Sequence, residues 1–116
     1  MWSKWECTDS DCCQYMRQDG KLFEMIEMVW LDTTEEDREN GNLPYIVVRE
    51  IIDLNDYNEE EIKGYLAPYQ YSFEGQDDWT IAECILEEVI MSNWCIVAEF
   101  ELFEDAEKYI KEVVNK

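Results

Sequence analysis

The first half of the chain contains apolar runs with the composition of β-strands, separated by polar turn signals. In residues 13–31, CQYMRQDGKLFEMIEMVWL, two such runs flank Asp19 and Gly20. This dipeptide is favoured in type I′ turns, whose two central residues both need a positive φ, so the segment predicts a β-hairpin. The second run, residues 22–31, is largely apolar on both faces, which predicts a strand at the centre of the sheet.

A third strand is predicted at residues 43–52, LPYIVVREII, because β-branched residues are dense there. The polar segment before it, residues 32–42, is expected to be a loop that ends in an Asn-Gly turn. Residues 53–58 offer helix-capping side chains before a short helix at residues 59–69, which Pro68 should stop.

The second half of the chain changes to helical spacing. Residues 77–91 place apolar side chains at intervals of three and four, and Asp77 or Asp78 is the expected N-cap. Residues 94–103, WCIVAEFELF, predict a strand because apolar and acidic residues alternate there. Residues 104–116 predict a closing helix with an apolar stripe.

The order of these predicted elements is β-β-β-α-α-β-α, and a further short strand is expected at residues 2–7. Strands that are grouped before helices are typical of α+β proteins. We therefore predict a single small α+β domain over residues 1–116. Its sheet should be mostly antiparallel with about four strands, and its helices should pack on one face.

Composition supports a folded core and adds an unusual charge. Hydrophobic residues make up 47% of the chain, which is too apolar for a disordered segment. The chain has 29 Asp and Glu residues against nine Lys and Arg, which gives a formal net charge of −20 at pH 7. The acids interleave with apolar positions from Glu6 to Glu112, so they should be displayed on a folded surface.

No apolar run approaches the roughly 20 residues that a membrane span requires. The N-terminal residues also lack the basic and apolar regions of a signal peptide. These patterns predict no contact with membranes and a cytoplasmic location.

Catalytic motifs are missing from the sequence. It contains no histidine and only four glycines, and it has neither a nucleophile-elbow motif nor a phosphate-binding loop. Pairs of acidic residues are so abundant that no one pair indicates acid-base chemistry. We expect no enzymatic activity and no cofactor.

Five cysteines form an odd set in which at least one thiol has no disulfide partner. Cys84 and Cys95 are expected to be small core residues with reduced thiols. Cys7, Cys12 and Cys13 offer soft ligands, but the spacing is not that of a zinc ribbon, and we expect no metal. Cys12 and Cys13 should alternate across a strand, and a redox or metal role of this cluster stays open.

Acidic residues near the C-terminus are spaced like charges along a nucleic acid. Alternate residues on a strand lie roughly 7 Å apart, as for Glu99 and Glu101, and residues four apart on a helix lie about 6 Å apart, as for Glu83 and Glu87. Successive nucleotides of one strand advance about 3.4 Å along the helix axis and further along the backbone. The predicted partner-binding residues are Glu83, Glu87, Glu99, Glu101, Glu104 and Asp105.

Two functions fit these properties. In the first, the chain is an acidic inhibitor that occupies the basic nucleic-acid-binding surface of a partner protein, as antirestriction and some anti-CRISPR proteins of phages and mobile elements do. In the second, it is a non-catalytic interaction or regulatory module that is acidic for solubility and binds through aromatics such as Trp2, Trp5, Trp79 and Trp94. Direct binding to nucleic acid is disfavoured by charge, and the sequence leaves open whether the chain dimerises.

Overall fold

A five-stranded antiparallel sheet forms the centre of the molecule, and its strands follow one another in chain order. The computed structural model describes residues 1–9 and 13–116. The strands are β1 (Glu6–Cys7), β2 (Gln14–Asp19), β3 (Leu22–Trp30), β4 (Tyr45–Asp53) and β5 (Ile96–Phe100). The α-helices of the described residues are α1 (Glu35–Glu39), α2 (Glu59–Leu66), α3 (Asp78–Asn93) and α4 (Phe103–Val114). The predicted α+β class is confirmed, and the fifth strand is the short one expected near the N-terminus.

The predicted hairpin is present as β2 and β3, but its turn is shifted by one residue. Asp19 pairs with Leu22, so Gly20 and Lys21 are the two central residues of the turn. Gly20 has a φ of +61°, whereas Lys21 is not among the residues with positive φ. This is the pattern of a type II′ turn, which needs positive φ only at its first central residue, instead of the predicted type I′ turn.

Helices pack on both faces of the sheet, which corrects the prediction that they lie on one face. Phe23 and Met25 of β3 belong to a core that also contains residues of α2 and α3. Ile26 of the same strand belongs to a second core that contains Ala106 and Ile110 of α4. Successive side chains of a strand point to opposite faces. Because β3 and β4 are apolar on both faces, each face needs its own cover, and β3 is central as predicted.

Side chains that accept hydrogen bonds from backbone N–H groups start three of the helices. Thr34 caps α1, which lies inside the segment predicted to be a loop, and Asp37 completes the capping box. Asn58 caps α2, and this helix ends at Leu66, two residues before the proline that was expected to stop it. Asp77 is the N-cap of α3, as one of the two predicted alternatives.

The last strand is shorter than predicted. β5 ends at Phe100 and α4 begins at Phe103, so the alternation expected to continue to residue 103 stops early. Leu102 is therefore the N-cap residue of α4 and not a residue of the strand. Glu104 and Asp105 lie in the first turn of α4, where their charge favours the positive end of the helix dipole.

Length and hydrophobicity of the helices bear on the membrane prediction. Among residues 1–9 and 13–116, no helix is both long and apolar enough to cross a bilayer.

Candidate partner-binding surface

The six acidic residues predicted to bind a partner do not form one continuous surface. Glu83 and Glu87 lie on α3, which packs on one face of the sheet. The other four follow each other from the end of β5 into the first turn of α4, which packs on the opposite face. The fold therefore separates the predicted set into a pair and a group of four.

The group of four lies at one end of the sheet. Trp30, Tyr45 and Phe100 form the last row of cross-strand pairs, so the segments that leave this row are neighbours. One is residues 31–44, which contain α1, and the other is residues 101–105. We term the acids of this region the acidic end, which comprises Asp32, Glu35, Glu36, Asp37, Glu39, Glu99, Glu101, Glu104 and Asp105.

Most of the acidic end is open to solvent, and Lys108 of α4 lies beside Glu104 and Asp105. Eight of its nine acids are exposed, and Asp37 is half-buried. Arg38 is the one basic residue in segments 31–44 and 101–105. Hydrogen bonds from Thr34 to the Asp37 carboxylate lower the pKa of Asp37, so this acid stays charged. The capping box also fixes the geometry of α1, which holds its acids in place.

Apolar side chains are exposed in the middle of the acidic end. Trp30 is 64% exposed, Leu102 is 56% exposed and Phe103 is 38% exposed. The Phe103 ring meets the Tyr45 ring edge-on with centroids 6.0 Å apart, and Tyr45 pairs with Trp30 on the neighbouring strand. We term Trp30, Leu102 and Phe103 the apolar centre. Sequence reasoning placed Trp30 on a face of the sheet and did not single it out.

Glu83 and Glu87 line a separate acidic groove on the α3 face, and the charge of Glu87 also acts on Glu27 of β3. Burial, followed by the charge of Glu87, raises the pKa of Glu83. The pKa of Glu27 is raised mainly by burial, and the charges of Glu87 and Asp9 add to this, while a hydrogen bond with Gln14 opposes it. Carboxylates are thus crowded here.

Tyr69 forms the outer wall of this groove. Its hydroxyl donates a hydrogen bond to the Glu87 carboxylate, which raises the pKa of Tyr69. The Tyr71 ring stacks on the Tyr69 ring with centroids 5.9 Å apart. Glu87 is therefore bound to a tyrosine in this groove, and no basic side chain lines the groove among the described residues.

Basic side chains are mostly occupied by acids elsewhere. Glu24 is 97% buried and accepts hydrogen bonds from Arg17 Nε and Arg49 Nε at 2.7 Å each. Three lysines form ion pairs on the surface: Lys21 with Asp78, Lys63 with Glu59 and Lys111 with Glu107. Five of the nine basic side chains therefore pair with acids in the described chain, although Arg17 and Arg49 share one carboxylate. The net charge of −20 leaves the exposed surface strongly negative.

Three of the tryptophans considered as partner contacts have internal contacts. Trp2 and Trp5 lie over the Arg17 guanidinium, with ring centroids 4.6 Å and 4.4 Å from its central carbon. Trp79 meets the Phe23 ring edge-on in the larger core. Trp94 ends α3 with a φ of +51° and stays partly exposed.

The cysteines differ in their surroundings. Cys84 is buried as predicted, and burial raises the pKa of its thiol to about 11. Cys95 is only half-buried, and its thiol donates a hydrogen bond to Glu50 at 2.9 Å, which corrects its assignment to the core. Cys13 directly precedes β2 and does not alternate within a strand, while the prediction for Cys12 lies outside the described residues. No group of three potential metal ligands is found among residues 1–9 and 13–116.

Neither the protein-family models, nor the curated proteins, nor the solved structures gave a significant match to this chain.

Proposed function

We propose that this chain is an acidic protein inhibitor that mimics nucleic acid and occupies the basic nucleic-acid-binding surface of a partner protein. The observation that carries the proposal is its density of charge. The net charge of −20 is distributed over a long axis of 47 Å, which is about one excess negative charge per 2.4 Å. A DNA duplex carries one charge per roughly 1.7 Å of axis, and a single strand one per roughly 3.4 Å. The chain falls between these values.

The acidic end is the surface through which the mimic would act. Its acids lie on α1 and in the segment from the end of β5 to the first turn of α4. β5 is paired with β4 and α4 packs in the second core, which fixes the second group, whereas α1 is a short helix without buried residues. A fixed array of charges loses less conformational entropy on binding than flexible side chains on a disordered tail. Counterions are released when Lys and Arg of a protein neutralise the phosphates of nucleic acid, and binding of the same side chains to this array would release counterions in the same way.

The proposal places the chain among inhibitors of the antirestriction or anti-CRISPR type, encoded by phages or mobile elements. Its partner would be a protein with a basic groove, such as a nuclease, and not nucleic acid itself. A cytoplasmic location and the lack of catalytic activity belong to the same proposal.

A pull-down from host cells tests the proposal when two charge variants are compared. The test variant Glu101→Gln, Glu104→Gln, Asp105→Asn removes three charges at the acidic end. The control variant Glu59→Gln, Glu60→Gln, Glu74→Gln removes three exposed charges elsewhere. The two variants have equal net charge, because each loses three negative charges. A difference in recovery between them therefore depends on where the charges were removed and not on the total charge.

We expect the parent and the control to recover nucleic-acid-binding proteins, and the test variant to recover much less of them. Added DNA or RNA should release the captured protein, since both would compete for one groove. Recovery of metabolic enzymes alone, or equal recovery by both variants, would contradict the proposal.

The alternative is a non-catalytic interaction module whose acids serve solubility. The apolar centre favours it, because exposed aromatic and aliphatic side chains are typical of protein contacts. Under this alternative, capture would be insensitive to added nucleic acid and nearly insensitive to salt.

A further inference from the structure

Charge alone gives fast association but modest affinity, so a tight inhibitor needs an additional source of binding energy. Exposed acids attract a basic surface over a Debye length, and this attraction is screened by salt. Most binding energy in protein complexes comes from a few residues, enriched in Trp, Tyr and Arg, that become fully buried. The apolar centre is the part of the acidic end that can supply such residues.

We propose that the apolar centre, Trp30, Leu102 and Phe103, is the anchor that inserts into an apolar pocket of the basic partner. This inference rests on the proposed function, because it assigns the same partner a pocket surrounded by Lys and Arg. It adds the chemistry of the contact: the acids guide the partner to this end, and the apolar side chains hold it there.

The sheet explains why these side chains stay exposed. Trp30 is the last residue of β3, and Tyr45 beside it is covered by Phe103 at the start of α4. α4 begins beside this row and packs in the second core, and Trp30 keeps 64% of its surface exposed. Leu102 is the N-cap residue of α4 in the short link from β5, and its apolar side chain cannot cap the helix.

Folding gains less from Trp30 and Leu102 than from fully buried side chains, because both leave more than half of their surface in water. Burial of an apolar surface contributes about 25 cal/mol per Å², and Trp30 leaves 64% of its surface in water. A polar residue at this position would cost the fold little and would favour solubility.

The surroundings of the apolar centre select one kind of occupant. Acids stand next to it in the sequence: Asp32 follows Trp30 by two residues, and Glu101 and Glu104 lie on either side of Leu102 and Phe103. Arg38 and Lys108 are basic residues of this region, and the acids outnumber them, so an acidic apolar surface would be repelled and a neutral one would leave these charges unpaired. A second copy of the chain would bring another net charge of −20 to the same place. A pocket bordered by Lys and Arg satisfies both the apolar and the charged parts of the surface.

Two synthetic peptides of equal positive charge probe this chemistry directly. The first is an amphipathic helix with Lys and Arg on one face and Leu on the other, and the second has Ser in place of each Leu. The parent should bind the Leu peptide roughly tenfold more tightly than the Ser peptide, a ratio typical of one good apolar contact.

Variants then locate that preference. Trp30→Ala and Leu102→Ala should each remove most of it, while Met91→Ala, which truncates a side chain of similar exposure at the end of α3, should leave it intact. Urea unfolding of each variant checks that the fold is retained. The variant Glu101→Gln, Glu104→Gln, Asp105→Asn should weaken both peptides equally and reduce their dependence on salt.

Each outcome separates the anchor from the proposed function. Loss of the Leu preference in the Trp30 and Leu102 variants alone supports the anchor. If the parent shows no preference, or the Trp30 variant retains it, the anchor is refuted, although weaker binding by the charge variant would still support the proposed function. A parent that sediments as a dimer while Trp30→Ala is monomeric would also refute it, since a second copy would then cover this surface.

Discussion

Replacement of Glu24 by Gln should destabilise the fold more than any exposed charge change. Glu24 is 3% exposed on β3 and joins the two strands beside it. Its Oε1 accepts from Arg17 Nη2 at 2.6 Å, and its Oε2 accepts from Arg49 Nε at 2.7 Å. Without this charge, two guanidinium groups would face each other under Trp5.

The magnitude follows from the burial of the three groups. Removal of one partner from a buried ion pair costs roughly 3–5 kcal/mol, because an uncompensated charge stays buried. Here the side chains of Arg17 and Arg49 are 22% and 31% exposed, so water can solvate part of their charge. The amide oxygen of Gln also keeps one acceptor. We therefore expect a loss of about 2–3 kcal/mol in the free energy of unfolding.

Urea unfolding followed by circular dichroism measures this loss. With an m value of about 2 kcal/mol per M, the midpoint should fall by roughly 1–1.5 M urea. The matched control is Glu59→Gln, which removes an exposed acid 3.9 Å from Lys63 and should change stability by less than about 0.5 kcal/mol. Both variants lower the net negative charge by one, so repulsion changes equally. A Glu24→Gln midpoint within error of the control would refute the assigned role of this carboxylate.

Three further predictions concern salt, pH and thiols. The melting temperature should rise between about 10 mM and 150 mM salt, as the Debye length falls from about 30 Å to 8 Å, and a flat curve would mean that the acids are well separated. Since the pKa of Glu83 is raised in the fold, its contribution to stability is present below pH 4.5 and is lost as pH rises through the folded pKa. Glu83→Gln should therefore be more stable than the parent at pH 7, and equal stability there would contradict this. With a pKa of about 11, Cys84 should react with iodoacetamide at pH 8 much more slowly in the folded than in the unfolded protein. Reductant should leave the melting temperature unchanged and elemental analysis should find no stoichiometric zinc; a stoichiometric metal would overturn this.

Local signals in the sequence were sufficient for the strands and for three of the α-helices, while α1 was missed because it lies in a segment predicted to be a loop. Gly20 marked the hairpin, and Asn58 and Asp77 marked the helix starts, because each of these effects depends on a few neighbouring residues. The end of β5 was missed because the neighbouring residues carry no such local signal. α4 begins after Leu102 without a side-chain cap, so alternation continued in the sequence where the strand had ended.

The partner-binding surface depended on contacts that the sequence does not encode locally. Four of the six predicted acids lie at the acidic end because β5 is followed directly by α4. Glu83 and Glu87 lie elsewhere because α3 packs on the other face, which helical spacing alone does not determine. Trp30 was not identified because its exposure depends on where α4 begins relative to the last row of the sheet.

Displacement of nucleic acid from the purified partner is the most direct test of the account. A fluorescent duplex bound to the partner is titrated with the chain while its anisotropy is recorded. If the chain mimics nucleic acid, the parent and the control variant Glu59→Gln, Glu60→Gln, Glu74→Gln should release the duplex when added in amounts equal to the partner. The variant changed at Glu101, Glu104 and Asp105 should need at least tenfold more protein, and added salt should weaken the parent. A stable complex of partner, duplex and chain together would contradict the claim that the chain occupies the nucleic-acid-binding surface.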